Sequence, residues 1–376
     1  MRARSERDLR VEENRHPVRD LLGRLVNSGL APGAVAGWGS PPSGLRMVAA
    51  GKAVLQPELE EVSEDTWFDL ASLTKPLVTA TLCLLAFRSG VLRLASTVGE
   101  VLDEVRGTAI SGLTVHELLT HTTGLPAWLP LYCLAEGTPE VLPTRLGTVR
   151  LEAPPGTRVI YTCIGFVILG LMLERVSDVG LEPLFQGEVL EELGLENRLG
   201  FHPDPAIRLL AGGASRPTVE ERLAREAGFD AGFVPASAAG LPDDGNARFL
   251  DGVAGNAGLF GTAAGAISLA AEYLPGGGRL LTKEEAAHAT SDHTAGLDQA
   301  RGLGWQLAAT PGCSAGPSLS PQAFGHNGFT GVSVWVDPAR REAYALLTNR
   351  AHPGHRESDL HPLRRRFHTL ASNPHI

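Results

Sequence analysis

The sequence predicts an α+β fold: an antiparallel sheet flanked by the first and last helices, with a mostly helical lobe inserted and an active-site cleft between them. Three observations predict it. Strand-like segments fall near the two ends of the 376 residues. The long stretch between them is helical in pattern. Apolar and polar residues alternate on both sides of Asp337-Pro338, which marks an antiparallel hairpin near the C-terminus.

The first twenty residues, MRARSERDLRVEENRHPVRD, are charged throughout and contain no apolar h-region, so no signal peptide is expected and the cytoplasm is the expected compartment. Residues 18–30 have the spacing of an amphipathic helix. Residues 34–39 and 45–54 read as two strands joined by the turn-forming SPPSG. In the middle, Pro- and Gly-rich loops separate helical segments. Its longest apolar runs, 77–87 and 164–173, have roughly half the ~20 residues a membrane span needs, and they read as buried helices. Thr114 and Glu117 make a capping box, and Thr262 is placed to cap a helix after a glycine-rich loop. Strands return beyond about Gly302, chiefly in GVSVWVDPARREAYALLTN. The terminal SDLHPLRRRFHTLA has helical spacing at Leu360, Leu363, Phe367 and Leu370. The expected division is a single catalytic domain over 1–376, with an α/β lobe from 17–70 and 255–376 and a helical lobe from 71–254.

Composition narrows the function. A net charge of −9 argues against nucleic acid or an anionic membrane surface as partner and does not choose a substrate; the small-molecule ester or amide substrate is implied only by the resemblance given below. Hydrophobic content of 43% and charged content of 20% are ordinary for a globular protein, and neither an internal repeat nor a low-complexity linker interrupts it. The four cysteines, Cys83, Cys133, Cys163 and Cys313, are scattered without a C-x-x-C pair, so no zinc site or disulfide framework is indicated. Oligomeric state is not readable.

The stretch FDLASLTKPLVTATLCLLA (68–86) carries chemistry. Only three lysines occur in the chain, and one of them, Lys75, lies three residues after Ser72 at the mouth of an apolar helix. Residues i and i+3 share a helical face, so the amine can reach the hydroxyl. Starting the helix near Ser72 puts Pro76 in the first turn, where its missing N–H does little harm. A serine needs a neighbouring base to attack a carbonyl, and a lysine can serve if burial depresses its pKa. The bland reading is an N-cap serine followed by a solvent-seeking lysine.

Other segments weigh against the bland reading. FDLASLTK, LTVHELLTHTTGLP, PPGTRVIYTCIGFVILGLMLERVS, NARFLDGVAGNAGLFGTAAG, RGLGWQL and FGHNGFTGVSVWVDP follow in order from about Asp65 to Arg350. Together they resemble the serine β-lactamase and penicillin-binding protein superfamily, and most closely its class C β-lactamase-like branch, which also holds esterases and D-amino-acid peptidases. The resemblance implies that Ser72 is acylated, that Lys75 is its hydrogen-bonded partner, and that Tyr161 shuttles the proton. A phenol with a pKa near 10 needs an adjacent cation such as Lys75 to lower it. The resemblance also places His326, Asn327 and Gly328 at the third motif and the Phe329 N–H opposite that of Ser72, as an oxyanion hole. The implied β-lactamase/transpeptidase-like enzyme needs no metal or organic cofactor.

One departure stands out. The second motif reads Tyr161-Thr162-Cys163 where the family usually has asparagine at the third position. An amide there can bind a substrate carbonyl, whereas a thiol is a weak donor and acceptor. Cys163 therefore favours ester cleavage over β-lactams or D-amino-acid peptides, which stay as alternatives beside a ligand sensor that never turns over. Cys163 itself reads as a buried thiol, with a reactive one as the alternative.

Two patterns are set aside. GCSAG (312–316) matches a nucleophile elbow around Ser314, but prolines flank it where a strand and a helix are required. HELLTH places His116 and His121 five residues apart, which diverge by ~140° on a helix and cannot share a metal. The loop GVAGNAGLFG lacks the Gly-Lys-Ser/Thr that phosphate binding would require. It lines the cleft by resemblance or serves as a tight crossing.

Overall fold

The computed structural model describes residues 16–373, apart from 42–43, 57, 207, 215–217, 231, 233, 235–239 and 355–357. The charged stretch before His16 and part of the SPPSG turn lie outside the described residues.

Among the described residues, ten strands form two sheets. The larger runs in the order β3-β2-β1-β10-β9-β8-β7: β1 is Gly33–Ser40, β2 Gly44–Val54, β3 Glu60–Glu61, β7 Gln306–Leu307, β8 Phe324–Asn327, β9 Ser333–Asp337 and β10 Glu342–Thr348. The two ends of the chain meet where β1 pairs antiparallel with β10, in the register Val35↔Leu347 and Trp38↔Tyr344. The hairpin around Asp337-Pro338 forms with Tyr344 opposite Trp335.

Period-2 alternation decides which side chains go to which face. Ala34, Ala36, Trp38, Trp335, Tyr344 and Leu346 point to one side, where they bury Val18, Leu22 and Leu25 of the helix Pro17–Asn27 and Phe367 and Leu370 of the helix His361–Ala371. Val35, Val334, Val336, Ala343, Ala345 and Leu347 point to the other, into the main core with Leu73, Leu77 and the helix Ala263–Ala270. Thr262 caps that helix through Gly265 N–H (3.1 Å).

The helix Cys163–Ser177 is apolar nearly all round, and from Ile164 to Gly170 every residue is buried. Its first two turns have no solvent face and run through the core, while Arg175 near its C-terminal end is exposed. The loop 252–258 lies directly against it. A Cβ on Gly255 would sit 2.0 Å from Phe166 O, so only glycine allows that approach. A smaller sheet, β4-β6-β5, joins Phe68–Asp69 (β4), Leu199–Gly200 (β5) and Phe260–Gly261 (β6). Its β4 leads into the Ser72 turn.

Candidate active site

Ser72 does not open an α-helix. It lies in a single 3₁₀ turn, Ala71–Leu73, followed by a π-helical turn over Lys75–Ala80 and then the α-helix Thr81–Ser89. Pro76 explains the change, since it donates no hydrogen bond, and its own carbonyl is taken by Thr81 Oγ1 (3.1 Å). Ala71, just before the serine, has φ +47°, a left-handed conformation that costs a non-glycine residue roughly 1–2 kcal/mol. Three contacts hold it there. Ala71 N–H donates to Asp69 Oδ1 (2.8 Å), Thr74 Oγ1 donates to Ala71 O (2.7 Å), and Leu73 N–H donates to Leu70 O (2.9 Å).

Lys75 is fully buried. Its Nζ lies 3.0 Å from Ser72 Oγ, 3.0 Å from Asn256 O and 3.4 Å from Cys163 Sγ, so three acceptors match three N–H groups. Burial works against the ammonium, yet Cys163 and Tyr161 outweigh it as acids, and Asp244 adds to them, so the lysine is held above its ordinary value. The sequence expectation of a depressed lysine is thereby corrected: Lys75 is kept as a cation by its acidic neighbours.

Tyr161 completes the group. Lys75 Nζ lies 5.2 Å from its ring centroid, and both Lys75 and Ser72 pull the phenol's pKa downward. Here too the expected direction is corrected. Burial pushes the phenol upward, and the opposing pull of Lys75 does not fully offset it. The segment LTHTTGLPAW positions this tyrosine: Ile160 N–H donates to His121 O (2.9 Å), Thr162 N–H to His121 Nδ1 (3.1 Å), and Cys163 N–H to Ala127 O (2.9 Å). The His121 ring packs on Tyr161 at 4.6 Å. His121 takes a left-handed φ of +61° at the end of the helix Val115–Thr120, while His116 faces His293 elsewhere, so the two histidines do not converge. Thr114 and Glu117 form the expected capping box.

His326 lies at the end of β8 with its ring 5.6 Å from Tyr161. Its Nδ1–H donates to Asn327 O (2.9 Å), which leaves Nε2 buried and without a partner. Burial, with Lys75 and Arg301 nearby, holds its pKa well below the usual histidine range, so the ring is neutral at pH 7. A Cβ on Gly328 would meet Leu70 O at 3.0 Å and Ala71 Cβ at 3.2 Å, so this glycine lets the end of β8 press against the Ser72 turn. The Gly328 N–H donates to Val332 O (2.8 Å), and the residue lines the cavity described below. Asn327 Oδ1 accepts from Ser314 Oγ (2.9 Å), and Ser314 Oγ in turn accepts from Trp335 Nε1 (3.1 Å). Ser314 is fully buried in a turn, a structural hydroxyl. The Phe329 side chain is 48% exposed at the rim, and its carbonyl accepts from Arg350 Nε (2.9 Å).

These groups face one cavity of about 460 Å³, lined by Ser72, Tyr161, Cys163, His326, Asn327 and Phe329 and also by Glu220, Asp243 and Asp244. Four contributors escaped the sequence reading. Asn256, in the glycine loop, presents its carbonyl to Lys75 and donates Nδ2 to Asp244 Oδ2 (3.2 Å). Asp69 accepts from the Ala71 and Asp243 amides (2.8 and 2.7 Å), and burial raises its pKa to about 7. Arg301 lines the cavity with its guanidinium 5.8 Å from the Tyr161 ring. Asp244 caps the helix Gly245–Phe249 through Ala247 N–H (2.8 Å). A positional signal existed only for Asp69, three residues before the serine. Among the described residues no His/Cys/Asp/Glu group is arranged to hold a metal ion, and no helix is long and apolar enough to cross a membrane.

The family model described as Beta-lactamase matches residues 28–368. A putative D-alanyl-D-alanine carboxypeptidase of Escherichia coli O157:H7 is 26% identical over 329 residues, covering 80% of this chain and 73% of its own. Among solved structures, EstCE1, a hydrolase with promiscuous acyltransferase activity, has a TM-score of 0.73 at 21% identity, covering 96% of this chain and 100% of that one. A mutant class C beta-lactamase has a TM-score of 0.72 at 20% identity, covering 99% of each chain. At such identities the solved structures show a shared fold.

Proposed function

From the premise that the chain belongs to the Beta-lactamase family and is a serine hydrolase, we propose that it cleaves carboxylic esters through an acyl-enzyme on Ser72. One observation carries the reading: Ser72 Oγ lies 3.0 Å from a buried ammonium that also lies 5.2 Å from the Tyr161 ring, and serine and tyrosine line the same cavity.

In this mechanism the Tyr161–Lys75 pair works one proton short of saturation, as phenolate against ammonium. Ser72 Oγ attacks the carbonyl carbon as Tyr161 takes its proton. The tetrahedral oxyanion rests on the Ser72 and Phe329 amides, and removing one such donor typically costs ~3 kcal/mol. The C–O bond to the leaving group then breaks and Tyr161 returns the proton to the departing alkoxide. Water repeats the sequence on the acyl-enzyme, and the acid leaves. Lys75 supplies the positive charge that stabilises the phenolate. His326, neutral, can only accept or orient.

Support for esters comes from Cys163. Where an amide side chain could bind a substrate carbonyl, the thiol sits 3.4 Å from Lys75 and is committed to it. A D-amino-acid peptidase or β-lactamase is the second reading, and the Escherichia coli relative, a putative D-alanyl-D-alanine carboxypeptidase, favours the peptidase. The test is a panel of chromogenic esters, cephalosporins and D-alanyl peptides on wild type and Ser72→Ala, with mass spectrometry of the trapped adduct. Turnover that survives Ser72→Ala sinks the mechanism. An adduct that forms and never clears supports a sensor in its place.

A further inference from the structure

A charge removed from water is costly unless an opposite charge or a full set of hydrogen bonds replaces the solvent. Two of the buried cations near the cavity obey this. Lys75 has three acceptors. Arg248 pairs with Glu220 (2.6 Å) and also donates to the Pro242 and Asp243 carbonyls.

Arg301 differs. It is only 5% exposed, its Nε has no hydrogen-bond partner, and no ion pair reaches it among the described residues. Its Nη2 donates to the neutral amide of Gln299 (2.6 Å). The nearby carboxylate Asp298 spends Oδ1 on the Val159 amide. Burial lowers the Arg301 pKa to about 10, which still leaves a cation at neutral pH. Arg364 is also buried without a carboxylate partner, but it donates to Val332 O and does not line the cavity. Arg301 does line it, beside Tyr161 and His326.

We infer that Arg301 is a specificity-determining residue that receives a carboxylate of the substrate, so that the favoured ester carries a carboxylate close to its scissile carbonyl. A guanidinium suits this task because its planar N–H groups match a carboxylate in two parallel hydrogen bonds. The other candidates for the role are engaged or uncharged: Lys75 has its donors occupied, and His326 presents an unprotonated Nε2. The inference rests on Ser72 being the acylated group, and it adds the substrate class.

The experiment compares 3-acetoxybenzoate with its methyl ester, which differ in one charge on the leaving group, and a five-carbon dicarboxylic half-ester with its neutral counterpart, which moves the charge to the acyl side. Wild type is expected to prefer the anionic member of at least one pair by tenfold or more in kcat/KM, chiefly through KM. In Arg301→Gln that ratio falls to near one, and Arg301→Lys keeps part of it. Thermal unfolding of both variants controls for folding. Equal losses on anionic and neutral esters would mean that Arg301 acts only through Tyr161, and this overturns the inference, as does wild type showing no preference in either pair. A separate readout needs no turnover: binding of 3-hydroxybenzoate against methyl 3-hydroxybenzoate by calorimetry, with wild type and Arg301→Gln. If Ser72→Ala still hydrolyses esters, the serine mechanism fails, while the calorimetry decides on Arg301 alone.

Discussion

The Lys75 ammonium lies 3.0 Å from the Ser72 hydroxyl and 3.0 Å from the carbonyl of Asn256, a residue 181 positions further along the chain. The nucleophile's partner is thus anchored by a loop that shares no local sequence with it. Because a buried ion is retained at the expense of its hydration, function and stability should separate on substitution. Lys75→Met is expected to reduce kcat/KM on esters by a thousandfold or more. The same change should leave the unfolding midpoint unchanged or higher, because a similar apolar volume replaces the charge. A variant that loses activity and also melts well below wild type would count against this separation.

The pH dependence follows from the corrected directions. Burial raises Tyr161 and its acidic neighbours raise Lys75, so at neutral pH the pair is mostly saturated with protons. The working form, one proton short, grows about tenfold per pH unit below the Tyr161 pKa. Acylation measured by single-turnover kinetics should therefore climb with slope near one from pH 6 to 9. A flat profile over that range would mean that a group other than Tyr161 takes the proton.

Cys163 offers a gain-of-function test. Cys163→Asn places an amide next to Lys75 where the thiol now sits 3.4 Å away. Turnover of an anilide or a cephalosporin relative to an ester should rise by about tenfold, the order of discrimination one added hydrogen bond to substrate provides. An unchanged ratio would remove Cys163 from the explanation of substrate choice.

Asp69 links stability to pH. Burial raises its folded pKa to about 7 from the ordinary 3.8, so between those values the folded state binds more protons than the unfolded one. Stability contributed by this group is present at low pH and is lost as pH rises toward 7, by on the order of a few kcal/mol. Asp69→Asn lacks the titration, although its amide can accept from only one of the Ala71 and Asp243 N–H groups. Relative to that variant, wild type should lose ground as pH rises from 5 to 8, measured by denaturant unfolding. A difference that stays constant across that range would show that the carboxyl does not titrate there.

Ser314 serves as the control serine. Its hydroxyl donates to Asn327 Oδ1 and accepts from Trp335 Nε1. Ser314→Ala should cost about 1–3 kcal/mol by leaving the buried indole N–H unsatisfied, with ester turnover retained. Loss of the acyl-enzyme in this variant would reopen the question of which serine reacts.

Much of the frame was legible because it depends on local pattern. Alternation in 333–348 predicted a hairpin, and the same alternation sorts Trp335 and Tyr344 to one face and Val334 and Ala345 to the other. The spacing of Ser72 and Lys75 predicted their contact even though the turn between them is 3₁₀. The site's outer members were not legible. Asn256 acts through a main-chain carbonyl, which every residue type possesses, and Arg301 matters because it is buried beside Tyr161, which no spacing encodes.

The sequence by itself determined the periodicities, the caps and the short-range pairing of serine with lysine, since each arises from forces acting within a few residues. Tertiary structure alone decided the protonation of the site. Whether Lys75 is a cation, His326 neutral and Tyr161 hard to ionise depends on which charges share a volume shielded from water. That volume is enclosed by segments from both halves of the chain, and electrostatic energy depends on their separation in space, not along the backbone.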